Sequence, residues 1–207
     1  MNANQEHWWR QAKSDHEILD LLRSQGVDHC HELHYLQMVT EKLAKAYFWR
    51  TSSAPPRNHT GFVQFMRRLG AASRSEQESI ASVFAFTRFE DFQQWIRTTL
   101  PLAYALEKLA PALAQNGPNP EYPWPHNAPI DSPASHDFDV WRQLTETGSG
   151  RQLLKVIKQA VDRFDDVLRD LFPDVRDETN VWIGGENPFG KQMATVMVKY
   201  ELPNGMT

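Results

Sequence analysis

The densest group of chemistry-bearing residues lies between positions 28 and 45. Gln37, Glu41 and Lys45 step by four residues, which puts them on one side of a helix, and Lys42 stands beside them. A carboxylate flanked by two ammonium groups could form a functional cluster. Facing inward, the same residues would pair charges between helices while the lysine stems cover apolar surface. The structural role is the preferred reading. Just upstream, Asp28, His31 and His34 are three residues apart, so two successive i, i+3 steps bring them near one helix face. Imidazoles and a carboxylate can ligate a divalent metal, with His7 or His59 approaching from other helices. No Glu-x2-His pair of the di-iron type occurs in the chain. A solvated helix start with polar histidines is therefore preferred, and no metal or cofactor is expected. Cys30, between His29 and His31, could have a lowered pKa, but no nucleophile, base and orienting group assemble around it.

These residues need elements to position them. Trp9, Ala12, His16, Leu19 and Leu22 recur at three and four residues and predict a helix over 8–24, ended by Gly26, with Ile18 and Leu21 widening its apolar face. Asp28 can cap a second helix to about Arg50, with Leu33, Leu36, Val39, Leu43, Ala46 and Tyr47 inward. Pro55 and Pro56 break the chain before a short third helix that buries Phe62, Phe65, Met66 and Leu69. Residues 75–114 read as broken helix, opened by a Ser75–Glu78 capping box and restarted at Pro101. Six of the thirteen prolines fall between Pro118 and Pro133, an extended segment that Tyr122, Trp124 and Ile130 should hold against the helices. Gly150 to Phe172 is the last long helix, stopped by Pro173. Asp162, Asp165, Asp166, Asp170 and Asp174 give it an acidic run, read as a solvated face, with a basic partner as the sharper alternative. Beyond it, Ala194, Val196, Val198, Tyr200 and Leu202 alternate with polar residues, a strand pattern that Val181–Ile183 could pair with as a hairpin. Such a strand could also contribute to a homodimer.

Gln37-Met-Val-Thr-Glu41-Lys42-Leu-Ala-Lys45-Ala46 resembles the Gln-x3-Glu-Lys-x2-Lys-Ala signature of the HEPN family of helical bundles. Other parts follow in that family's order: the first helix with Ala12 and Asp15, Pro55-Pro-Arg-Asn-His59 before the third helix, and Asn119-Pro-Glu-Tyr122-Pro-Trp124 at the family's Arg-Tyr-Pro segment. The resemblance spans most of residues 8–172 and leaves out about 75–97 and the tail. It implies an all-α, up-and-down bundle over 1–172, with an inserted helical segment at 75–97 and a C-terminal β extension over 173–207. Many members are dimeric and act in nucleotide or RNA contexts, some as ribonucleases and others beside a small nucleotidyltransferase. The ribonuclease members carry Arg, four to six residues, then His, where the Arg can stabilise phosphorane charge and the His can move protons. Here Glu121 stands at the arginine position, with His126 following. His126 and His59 are the catalytic candidates that remain. Arg10–His16 and Arg23–His29 have the spacing elsewhere, where chance alone accounts for it. Gly148-Ser149-Gly150 resembles the start of a nucleotidyltransferase motif, but the Asp-x-Asp pair that would hold Mg²⁺ is missing.

Composition limits the classes. At 207 residues the chain can bury roughly 70% of its unfolded surface without staples. The 26 acids against 22 bases provide no global basic field for nucleic acid. A single cysteine excludes an internal disulfide and suits a reducing, cytoplasmic setting. No apolar run reaches the ~18 residues of a membrane span, and the first ten residues carry no apolar signal core. The combined expectation is a non-catalytic HEPN-like interaction module with a nucleotide- or RNA-handling protein partner. The alternatives are a degenerate ribonuclease with a non-standard site and a metal-dependent bundle enzyme.

Overall fold

The computed structural model describes residues 1–49 and 61–170. Within them the protein is all-α, and the described residues hold no strand, only a single antiparallel bridge between Trp124 and Asp131. Helices α1 (Ala3–Gln25) and α2 (His29–Phe48) are followed by α3 (Gly61–Ala71), α4 (Arg74–Val83) and α5 (Phe89–Lys108). A short turn, α6 (Pro111–Ala114), leads into the proline-rich segment, and α7 (Asp139–Glu146), α8 (Gly148–Asp162) and α9 (Phe164–Asp170) complete the described chain. The strand pattern of 173–207 and the loop with Pro55, Pro56 and His59 lie outside the described residues.

Helix α1 starts earlier than its apolar pattern predicts. Asn2 caps it, and Gln5 closes a capping box onto the Asn2 backbone, so five further residues become helical. Gly26 ends it at φ +64°, a left-handed conformation that a Cβ would penalise. The short turn folds α2 back against α1. Contacts Asn2–Trp49, Asp15–Lys42 and Arg23–Glu32 descend one helix as they climb the other, which makes the pair antiparallel. The predicted stripe of α2 is buried throughout, from Leu33 to Tyr47. Ile18 and Leu21, predicted to face inward, are exposed instead, because α1 turns Asp15 and His16 toward the interior.

The third helix buries Phe62, Phe65, Met66 and Leu69 as their spacing predicts. The capping box of α4 is Ser73 with Glu76, two residues before the predicted one, since Glu78 is held by Arg74 at 2.8 Å. Pro101 does not start a helix; α5 runs through it. Phe92, Trp95, Ile96, Thr99, Leu102, Ala103 and Leu106 form one buried stripe on both sides of the proline, which itself is exposed. Proline inside a helix costs about 3 kcal/mol, and each large apolar side chain on that stripe returns about 1.5–3 kcal/mol by burial. The helix that begins at Phe89 continues past residue 97 to Lys108.

The predicted last helix is divided. Thr147 caps α8 through its Oγ1, and Arg163 ends it, reaching across to the Val83 carbonyl at 2.9 Å. Gly150 lies so close to the end of α7 that a Cβ would stand 2.1 Å from the Gln143 carbonyl oxygen. The absence of a side chain there lets α8 pack against α7. The core gathers under α2, α3, α5 and α8, with Tyr47, Phe65, Phe84, Phe92 and Phe164 fully enclosed. In the proline-rich segment Trp124 is buried, edge-on to His136 and Phe138, whereas Tyr122 and Ile130 are exposed, contrary to expectation. Among the described residues no helix is long and apolar enough to cross a membrane.

Candidate functional site

The α2 residues singled out by spacing lie along a polar seam inside the bundle. Lys42 is salt-bridged to Asp15 of α1, whose other oxygen accepts from Gln11 Nε2 at 3.0 Å. One turn along, Lys45 is paired with Glu41 on its own helix and places its ammonium 4.9 Å from the centre of the Trp8 ring. Glu41 and Gln37 are both buried. Gln37 donates from Nε2 to the Glu107 carbonyl on α5 at 3.4 Å, and its own side-chain oxygen is buried without a partner.

Glu107 is the member of this seam that the sequence reading missed. Its Oε2 accepts the Val63 backbone N–H at 2.8 Å, and the Phe62 N–H also bonds the carboxylate. A carboxylate from α5 thus caps the start of α3, where helix N–H groups lack intrahelical acceptors. Burial pushes the Glu107 pKa up from 4.5 to about 7, with a further rise from Glu41; the two N–H bonds and the Arg67 charge hold it down only partly. A signal existed in the sequence. Glu107 sits four residues after the buried Ala103, so its register already placed a carboxylate on an apolar face.

A second polar group forms where α1 and α2 meet α7. The buried Glu32 carboxylate accepts from Arg23 Nε on one oxygen and faces His29 Nδ1 with the other, both at 3.3 Å. The His29 ring stacks on Trp141 at 5.1 Å, and the Arg23 guanidinium lies 5.4 Å from the same ring centre. His29 stays 62% exposed, whereas Glu32 is only 5% exposed. With its proton on Nδ1 toward Glu32, the imidazole presents Nε2 to solvent for proton transfer, beside a fixed positive charge. Arg10–His16, the other pair with this spacing, is separated by environment: Arg10 is exposed and bound to Glu6, while His16 is buried. Burial lowers the His16 pKa, partly offset by Asp20 at 3.3 Å.

The remaining candidates are dispersed. His34 faces Glu121 at 3.4 Å, an ion-pair distance without hydrogen-bond geometry, and so ties the proline-rich segment to α2. His126 is exposed, and His59 lies outside the described residues. Asp28 and His31 are exposed at the start of α2, and with His34 turned to Glu121 the three do not converge. Among the described residues no group of three or more His, Cys, Asp or Glu side chains is placed to hold a metal ion. Cys30 is buried, and desolvation raises its thiol pKa, opposite to the lowering expected from neighbouring histidines. Comparison with protein-family models, with curated proteins and with solved structures gives no match to this chain.

Proposed function

We propose that this chain is a HEPN-like helical interaction module that works with a nucleotide- or RNA-handling protein, a small nucleotidyltransferase being the leading class. The observation that carries the reading is the display of Ile130 and Tyr122. Trp124 is locked in the core, and its backbone is bonded to Ile130 and Asp131 at 3.1–3.2 Å. On that fixed backbone the Ile130 side chain is 88% exposed and Tyr122 is 58% exposed. Large apolar groups held rigidly in solvent cost little ordering entropy when a partner covers them. The signature residues of α2 support the same reading, because Lys42, Glu41, Lys45 and Gln37 are engaged in the interior. Glu121, at the position where ribonuclease members of the resembled family have Arg, would repel a phosphate. Co-expression with a small nucleotidyltransferase should give a complex by size exclusion, and Tyr122→Ser with Ile130→Ser should dissolve it without unfolding the chain. An unchanged complex in the double variant overturns the assignment of this face.

A degenerate ribonuclease is the second reading, favoured by one observation: Arg23 and His29 share Glu32 at 3.3 Å on each side. Metal-independent RNA cleavage by purified protein, abolished by His29→Ala, would select it over the interaction module.

A further inference from the structure

A cavity of about 370 Å³ opens between the α4–α5 turn, the outer side of α5 and the beginning of α8. That is at the small end of the ligand cavities of proteins, which run from about 300 to 1,000 Å³. Its apolar wall is Phe86 and Trp95, whose rings lie 5.3 Å apart at 47°. Trp95 is 5% exposed, and its indole N–H is buried with no hydrogen-bond partner. Around the wall stand Asp91, Gln94, Ser149 and Gln152. Among the described residues no hydrogen bond or ion pair engages the Asp91 carboxylate or the Gln152 amide, and Gln94 uses only its oxygen, on Arg97 at 3.2 Å.

The chemistry of this lining selects its ligand. Asp91 is the single formal charge, and no lysine or arginine lines the cavity, so a phosphate or other strong anion is disfavoured. A free carboxylate is an acceptor with two oxygens, suited to two adjacent hydroxyl groups. Phe86, half-buried, and the small exposed part of Trp95 give an aromatic wall against which a ring can pack, and amides offer both donors and acceptors to its edge. We propose that this cavity binds an uncharged nucleoside, with the ribose diol on Asp91, the base against Phe86 and Trp95, and the base edge on Gln94 and Gln152. This cavity has no lining residue from the proline-rich segment and does not depend on Tyr122 or Ile130.

Titration calorimetry on the full chain tests it with adenosine, 2′-deoxyadenosine, adenosine monophosphate and glucose. Adenosine should bind, the deoxynucleoside more weakly, and the monophosphate no more tightly than adenosine. Asp91→Asn removes the charge from an exposed side chain that has no hydrogen bond or ion pair among the described residues, so the fold should be kept. Adenosine affinity should fall about tenfold or more, as for lost hydrogen bonds to a charged group. Four results would overturn the proposal: no heat with adenosine at 10 mM, roughly, given that weak sites bind at mM; tighter binding of the monophosphate; unchanged affinity in Asp91→Asn; or binding of glucose alone, which would make the cavity a sugar site.

Discussion

Replacing Glu107 by Gln isolates the energetic role of the buried carboxyl group that joins α5 to α3. The folded pKa of about 7 lies above the ordinary 4.5, so between these values the folded chain holds a proton that the unfolded chain has released. The stabilising contribution of this proton is complete below pH 4.5 and is lost as the pH rises through about 7. At about 1.4 kcal/mol for each tenfold change, the interval is worth about 3 kcal/mol, an upper value because the site retains some contact with water. Gln at this position keeps an oxygen for the Val63 and Phe62 N–H groups and carries no charge at any pH. Wild type and Glu107→Gln should therefore have similar stability at pH 4.5, and at pH 8 the variant should be more stable by up to about 3 kcal/mol. Urea unfolding reads this directly. With a slope of about 2 kcal/mol/M the midpoint should separate by about 1.5 M at pH 8 and close up toward pH 4.5. A difference independent of pH, or a variant less stable at pH 8, would refute the reasoning.

Breaking the α1–α2 bridge by Asp15→Ala leaves the Lys42 ammonium in the seam without its carboxylate, and chemical denaturation should show a loss of about 3 kcal/mol. Gly150→Ala should destabilise by about 1–3 kcal/mol or more in thermal unfolding, since its Cβ meets the Gln143 carbonyl, whereas Gly148→Ala, open to solvent, should be tolerated. Trp124→Ala should cost about 3–5 kcal/mol and expose residues 118–133 to protease, while Ile130→Ser should lie within about 0.5 kcal/mol of wild type by the same assays.

Much of the helical arrangement was legible in apolar spacing, and what was not has identifiable causes. The stripe from Leu33 to Tyr47 and the Phe62–Leu69 face follow the 3.6-residue period, and both are buried as read. Pro101 reads as a helix start on local backbone preference alone, but the apolar stripe from Phe92 to Leu106 continues through it and keeps the helix whole. Helix α7 escaped notice: Val140, Trp141 and Leu144 give it a buried face, but eight residues after a proline-rich stretch offer little periodicity to detect. The division at Arg163 depends on a bond to Val83, eighty residues earlier, which no local pattern encodes. For the site, step-of-four spacing found the α2 half of the seam. Glu107 was hidden because a carboxylate within an apolar stripe reads as an interruption of it. Arg23 and His29 gain their relation only through Glu32 and Trp141, brought together by the turn at Gly26 and the docking of α7.

A photo-crosslinking side chain introduced at position 130, with Glu17 on the exposed side of α1 as control, tests the interaction reading most directly in living cells. Position 130 should give one dominant adduct, identified by mass spectrometry as a nucleotide- or RNA-handling protein, and position 17 none of it. A position-130 adduct formed only with unrelated abundant proteins, or no adduct at all, would contradict it.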